Sequence, residues 1–160
     1  MPVSIPELNT GRFEPYENFR FKVLIDGKPV VACHKLSALR RSTQVVEQRD
    51  GSQPGVVRKA PGTTSFEPIT LEAGVTHDHT FEQWANRVRD HPADFRKNIR
   101  IELYTEGGVL FRAYTVFRCW PSEYQALSDL ESAGSTVAIT LLTLQNEGWE
   151  RDTAIPEPPQ

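Results

Sequence analysis

Four histidines and two cysteines are the residues most able to hold a metal or attack a substrate, and their spacing decides what they can do. His77, Asp78 and His79 form the densest set. Imidazoles two residues apart can chelate on a strand, and His91 would add a third ligand. The triplet, however, directly precedes a segment with a helix signature, where Asp and polar residues suit helix initiation. A catalytic zinc also needs a further protein ligand and an open position. The triplet therefore reads as solvated residues at a helix start, with no metal. Cys33-His34 suggests a thiol nucleophile beside its base, but neighbours on a strand point to opposite faces and cannot pair. Cys33 and Cys119 read instead as buried free thiols behaving as small hydrophobes. Gly107-Gly108 lacks the Lys-Ser/Thr that a phosphate cradle requires, so it reads as a turn. Glu67, Glu72 and Glu102 are scattered along strands without acid/base spacing. No catalytic residue, metal site or cofactor follows, and the chain is not expected to be an enzyme.

Aromatic residues are the remaining candidates. Trp84 and Trp120 read as core anchors, whereas Trp149, beside Glu150, Arg151 and Asp152, reads as a contact residue. Net charge −3 and a pI near 5.8 argue against a dedicated nucleic-acid binder, which carries a basic face. The length of 160 residues suits one domain, with roughly 69% of the unfolded surface open to burial. Only 38% of residues are hydrophobic and 12 are proline, with mean hydropathy −0.46. So lean a core suggests that subunit contacts add stability. Met1–Pro15 lacks the basic flank and apolar run of a signal peptide. No apolar stretch approaches the length of a membrane-spanning helix.

The elements that must position these residues are mostly strands. Residues 1–18, broken by Pro2, Pro6, Gly11 and Pro15, read as an arm. Phe19–Ile25 alternates, with Phe19, Phe21, Val23 and Ile25 on one face. Asp26-Gly27 is a hairpin turn signal, and Val30–Leu36 reads as the return strand, with Pro29 marking an edge. Thr43–Arg49 and Phe66–Glu72 read as strands flanking a long loop. One helix stands out at about residues 80–90. Thr80 and Gln83 have capping-box spacing. Phe81, Trp84, Ala85 and Val88 form one apolar stripe, Arg87 and Arg89 suit the last turn, and His91-Pro92 ends it. Ile99, Ile101 and Leu103 restore period two. Leu110–Trp120 is apolar on both faces and should be covered on both, with Pro121 as its stop. Gln125–Ser135 reads as a connection, Thr136–Gln145 as the last strand, and 149–160 as a Pro-rich tail. Pattern alone thus gives a mostly antiparallel β-domain with one packed helix.

The segment Val45–Gly74 is the most informative. Between its β-like ends lies a stretch rich in Gly, Pro, Ser and charge; such long loops are usually functional or disordered. It carries Glu47, Arg49, Asp50, Arg58 and Lys59 but no catalytic cluster, which suits docking on a protein surface. Here the sequence resembles the tube protein of contractile tails, found in myophages and in phage-derived contractile injection systems. The family's opening Val-Val-Glu-x-Arg-x-Gly stands as Val45, Val46, Glu47, Arg49 and Gly51. Its Val-Arg-Lys-x-Pro-Gly stands as Val57, Arg58, Lys59, Pro61 and Gly62, and its Leu-x-x-Gly-Val-Thr as Leu71, Gly74, Val75 and Thr76. Further on, Trp120, Pro121, Ser122 and Tyr124, and then Glu147 and Gly148, match in the family's order. The resemblance runs from about Phe19 to Gly148, leaving the Pro-rich extension outside it.

This resemblance implies a tail-tube domain over 19–148: an antiparallel β-sandwich or barrel with one packed helix, forming hexameric rings that stack into a hollow rigid tube. The implied core anchors are Phe81, Trp84, Val88, Trp120 and Tyr124. The loop 47–64, with Glu47, Arg49, Asp50, Arg58 and Lys59, would make the contact between rings. Implied partners are the chain itself, a sheath protein, baseplate or spike proteins, tape-measure and terminator proteins, and a lumen cargo of nucleic acid or effector protein. The chain would be made in the bacterial cytoplasm and end in a virion tail or injection particle. The alternative from the same resemblance is a secreted single-ring hexamer acting as effector carrier or chaperone, like the type VI tube protein. A β-barrel enzyme using His77 and His79 ranks third.

Overall fold

The structure, a computed structural model, describes residues 19–49, 51–90, 93, 95–132, 134 and 137–156. The expected arm 1–18, the Asp50 loop position, the His91-Pro92 helix stop and the last four tail residues lie outside the described residues.

Strand β1 (Arg20–Ile25) buries Val23 and Ile25, while Phe19 at its start is 51% exposed. Asp26 (φ 54°) and Gly27 (φ 76°) make the tight turn their sequence announces. The return strand lies ahead of the expected Val30–Leu36: β2 (Lys28–Pro29) pairs with β1, and the Val30 N–H still reaches the Val23 carbonyl at 2.8 Å. Ala32, at φ 62°, then diverts the chain, so that β3 (Cys33–Leu36) joins a different neighbour.

Strand β4 (Arg41–Arg49) pairs with β5 (Val57–Phe66) from Arg41↔Phe66 to Arg49↔Val57. The segment read as the loop 47–64 is thus mainly the outer half of a two-stranded ribbon, closed by a short turn. Strand β6 (Ile69–Gly74) begins separately and alternates without a fault: Ile69, Leu71 and Ala73 are buried. Helix α1 (Thr80–Asp90) buries Phe81 and Trp84 and packs against a later strand, β8 (Leu110–Gln125). Strand β7 (Lys97–Tyr104) buries Ile99 and Ile101.

Strand β8 (Leu110–Gln125) runs through Pro121 rather than stopping there. Pro121 is tolerated because the ladder shifts register between Pro121 and Glu123, a bulge at which a missing N–H breaks no regular bond. A second irregularity, Arg118 at φ 50° with its N–H donated to Asn98 Oδ1, bends the same strand. Strand β9 (Ile139–Gln145) and strand β10 (Trp149–Arg151) follow each other along one edge of β8. The chain past Gly148 therefore continues the sheet instead of starting a loose tail.

The sheet order is β2-β1-β7-β8-β9-β6-β3, with β10 also on β8 and β4-β5 forming a separate sheet. All described pairings are antiparallel. Strands from opposite ends of that order share one core: Val23 and Ile25 of β1 cluster with Ile69 and Leu71 of β6, Leu142 and Leu144 of β9, and Trp84. Only a sheet bent upon itself brings them together, so the molecule is a β-sandwich or barrel with one flanking helix. Phe111 and Ala113, on the other face of β8, are buried as well.

Candidate assembly interface

The β4–β5 ribbon departs from the rest of the molecule in having almost every residue exposed. Its inner part is held by hydroxyl ladders, Thr43 with Thr64 at 2.8 Å and Ser42 with Ser65 at 3.5 Å. Further out, strand alternation sorts the side chains into two faces. One carries Val45, Glu47 and Arg49 opposite Pro61, Lys59 and Val57; the other carries Val46 and Gln48 opposite Ala60 and Arg58. Glu47 thus faces Lys59 directly, whereas Arg49 and Arg58 face uncharged partners. Val45, Val46, Val56 and Val57 are 61%, 38%, 48% and 42% exposed.

At its base the ribbon is clamped. Trp149 meets Phe66 and Tyr114 edge-on, each with ring centroids 6.0 Å apart, and the Arg41 guanidinium lies 5.7 Å from the Trp149 ring centre. Asn146 donates its amide to the Glu67 carbonyl, and the Glu67 N–H bonds the Arg40 carbonyl. Trp149 is therefore a wedge under the ribbon, not the free contact residue that its polar neighbours suggest. Its Nε1 is buried without a hydrogen-bond partner among the described residues.

At the far end of the sheet, β6 runs into the start of α1. The Asp78 carboxylate accepts both the Thr80 N–H and the Thr80 hydroxyl, so Asp78 takes the cap that the sequence reading gave to Thr80 and Gln83. The Thr80 hydroxyl bond, foremost, holds the Asp78 carboxyl below its ordinary pKa. His77 and His79 are exposed, and His79 Nδ1 lies 3.6 Å from Glu82 Oε2. Among the described residues no three His, Cys, Asp or Glu side chains converge as a metal set would. Behind this cap lies an open cavity of about 250 Å³, walled by Val30, Val31, Val75, Phe81 and Tyr124 and rimmed by Asp78 and Glu82.

The remaining candidates have structural surroundings. Trp84 is 1% exposed and donates Nε1 to the Phe95 carbonyl at 2.7 Å. Phe81 is buried, Val88, Trp120 and Tyr124 are half-buried, and Trp120 meets Phe95 edge-on. Both cysteines are free thiols. Burial pushes Cys33 up to about 11 and Cys119 up to about 12, which keeps both protonated and unreactive at neutral pH. His34 lies 3.7 Å from Glu72, not against the thiol. Among the described residues no helix is long and apolar enough to cross a membrane. What sequence reasoning missed is the pairing of the ribbon and the apolar, acidic end opposite it. The exposed valines Val31 and Val75 flanking Asp78 and Glu82 were the only available signal for that end.

A bent antiparallel barrel with one helix and a clamped, uncovered ribbon defines the fold class among the described residues: mainly β, with a projecting two-stranded sheet. The family model of the T4-like virus tail tube protein gp19 matches residues 17–150, and the chain belongs to that family. No curated protein sequence matches it significantly. Among solved structures, a chain of the anti-feeding prophage tube-terminating cap superposes with a TM-score of 0.80 at 22% identity, covering 96% of this chain and 99% of that one. A chain of the extended sheath–tube complex of the extracellular contractile injection system PVC gives 0.76 at 23% identity, covering 88% and 93%. Hcp1 from Flavobacterium johnsoniae is more distant, at 0.50 and 13% identity over 82% and 93%. At these identities the likeness establishes the tail-tube fold.

Proposed function

We propose that this chain is the inner tube protein of a contractile phage tail or of a phage-like contractile injection system. Copies close into hexameric rings, the rings stack into a hollow rigid tube, and the tube is driven through a target envelope to deliver cargo. The work is mechanical, and the residues that perform it are interface residues. The observation that carries this reading is the ribbon: two strands of 9 and 10 residues, exposed on both faces and fastened only at the base. An isolated two-stranded ribbon is marginal in water, so its extended form implies a partner surface. Family membership and the sheath–tube and tube-cap assemblies among the structural neighbours support sheath and terminator proteins as further partners.

Reversing Arg58 and Lys59 together, Arg58→Glu with Lys59→Glu, tests the reading. Like-charge juxtaposition at an interface costs on the order of several kcal/mol, repeated around each ring. Electron microscopy should show long tubes from the unaltered protein and lone rings or short stacks from the variant. Unchanged tube length at physiological salt would remove the basic pair from the stacking contact. Lone rings from the unaltered protein would favour the single-ring carrier.

A further inference from the structure

We infer that the cavity at the start of α1 is the receptor for the ribbon of a second copy of this chain. The inference rests on the tube reading and names the surface that the ribbon meets. Position is the first argument. The ribbon leaves the sheet beside Ile69, whereas the cavity lies past Gly74, at the other end of β6. Pairings Ile69↔Leu144 and Gly74↔Ile139 fix these as opposite ends of the barrel. Six residues of strand at roughly 3.3 Å each separate them by about 17 Å. A protrusion at one end and a recess at the other make a head-to-tail contact that propagates without closing.

The chemistry of the two surfaces matches. The cavity wall leaves Val31 60% and Val75 47% exposed, and the ribbon leaves Val45 and Val57 exposed on one face. A volume of about 250 Å³ is large enough to admit aliphatic side chains of that size. Asp78 and Glu82 stand on the cavity rim. Between residues 47 and 59 the ribbon carries three cations, Arg49, Arg58 and Lys59, against two carboxylates, Glu47 and Asp50. Arg49, on the face of Val45 and Val57, has no carboxylate across the ribbon, and neither has Arg58 on the opposite face. Complementary charge of this kind fixes register and selects the partner.

The test uses the full chain and scores tube length by electron microscopy, with circular dichroism confirming each fold. Val75→Asp and Glu82→Lys, both at exposed positions and neither removing the helix cap, should each cut the stacked fraction about tenfold, the effect of about 1.4 kcal/mol per contact. Glu82→Lys combined with Arg58→Glu and Lys59→Glu should restore tubes that each change alone abolishes. Val31→Asp replaces either cavity variant that fails to fold. If the ribbon reversal abolishes tubes while the cavity variants stack normally, the receptor assignment is wrong and the tube reading stands. If Glu82→Lys abolishes tubes but the triple variant does not restore them, the cavity holds another occupant, such as a neighbour's terminal arm, and the assignment is again overturned. Long tubes from the ribbon reversal alone would overturn the receptor assignment and leave the tube reading standing, whereas monomers or lone rings from the unaltered protein would overturn the tube reading.

Discussion

Gly148 sits at the base of the ribbon clamp. Its φ of 133° is a backbone region that L side chains rarely adopt, and a Cβ there would stand 3.3 Å from Cε2 and Cζ of Phe66. It lets β9 break, turn Trp149 inward and resume as β10 against Val116. Gly148→Ala should therefore cost about 1–3 kcal/mol through backbone strain and push Phe66 off Trp149. Urea unfolding followed by tryptophan fluorescence reads both effects, and an unchanged midpoint with an unchanged emission maximum would refute the clamp. The sequence shows Gly148 plainly but hides the placement of Trp149. On a strand the residues before and after a side chain occupy the opposite face, so Glu150 and Asp152 say nothing about where Trp149 points. The core residues Val23, Ile25, Ile69, Leu71, Ile99 and Ile101, by contrast, were legible because their alternation coincides with the buried face.

At the scale of elements, α1 is where pattern and packing agree best. The stripe Phe81–Trp84–Ala85–Val88 demands a cover, and the helix lies against the core with Trp84 bonded to Phe95. The helix starts at Thr80 as expected, but the Asp78 carboxylate takes the Thr80 N–H and hydroxyl, because a carboxylate accepts with full charge at the positive end of the helix dipole. Asp78→Ala should cost about 0.5–2 kcal/mol. The folded Asp78 carboxyl titrates below its unfolded value, so its contribution is complete above the unfolded pKa of about 4 and is lost as pH falls through the folded pKa. The stability gap between the unaltered protein and Asp78→Ala should accordingly narrow on acidification from about pH 6 to about pH 3. Denaturant titrations at both pH values check this, and a gap independent of pH would assign the cap to another group. The first ribbon strand was read as Thr43–Arg49, but its partner β5 was illegible for a related reason. Strands exposed on both faces carry no hydrophobic period, and Pro61 and Gly62 demote such a run to a loop. Pro121 misled in the same way, since a bulge that accommodates proline leaves no mark in the sequence.

For the whole molecule the decisive quantity is unpaired edge. The main sheet ends in β2, two residues long, and β3, four residues long, and neither carries a further strand among the described residues. Open edges invite uncontrolled pairing unless short, charged or covered. His34 and Lys35 blunt β3 only in part, since Glu72 lies 3.7 and 3.9 Å from them. A closed ring, in which each copy presents one surface to the next in a heterologous contact, covers the edges of every copy at once. It also explains how a chain with 38% hydrophobic residues can be stable: surface left open in one copy is buried by its neighbours. The resemblance, from about Phe19 to Gly148, implies the hexameric count, which no single fold feature encodes. Native mass spectrometry at micromolar concentration should thus find a species of about 109 kDa, six times the chain mass of 18.1 kDa. If, as proposed, ring contacts and stacking contacts use different surfaces, the Arg58→Glu, Lys59→Glu variant should retain that species while losing everything larger. A chain that stays monomeric up to its solubility limit, with no tubes beside it, would sink ring and tube together.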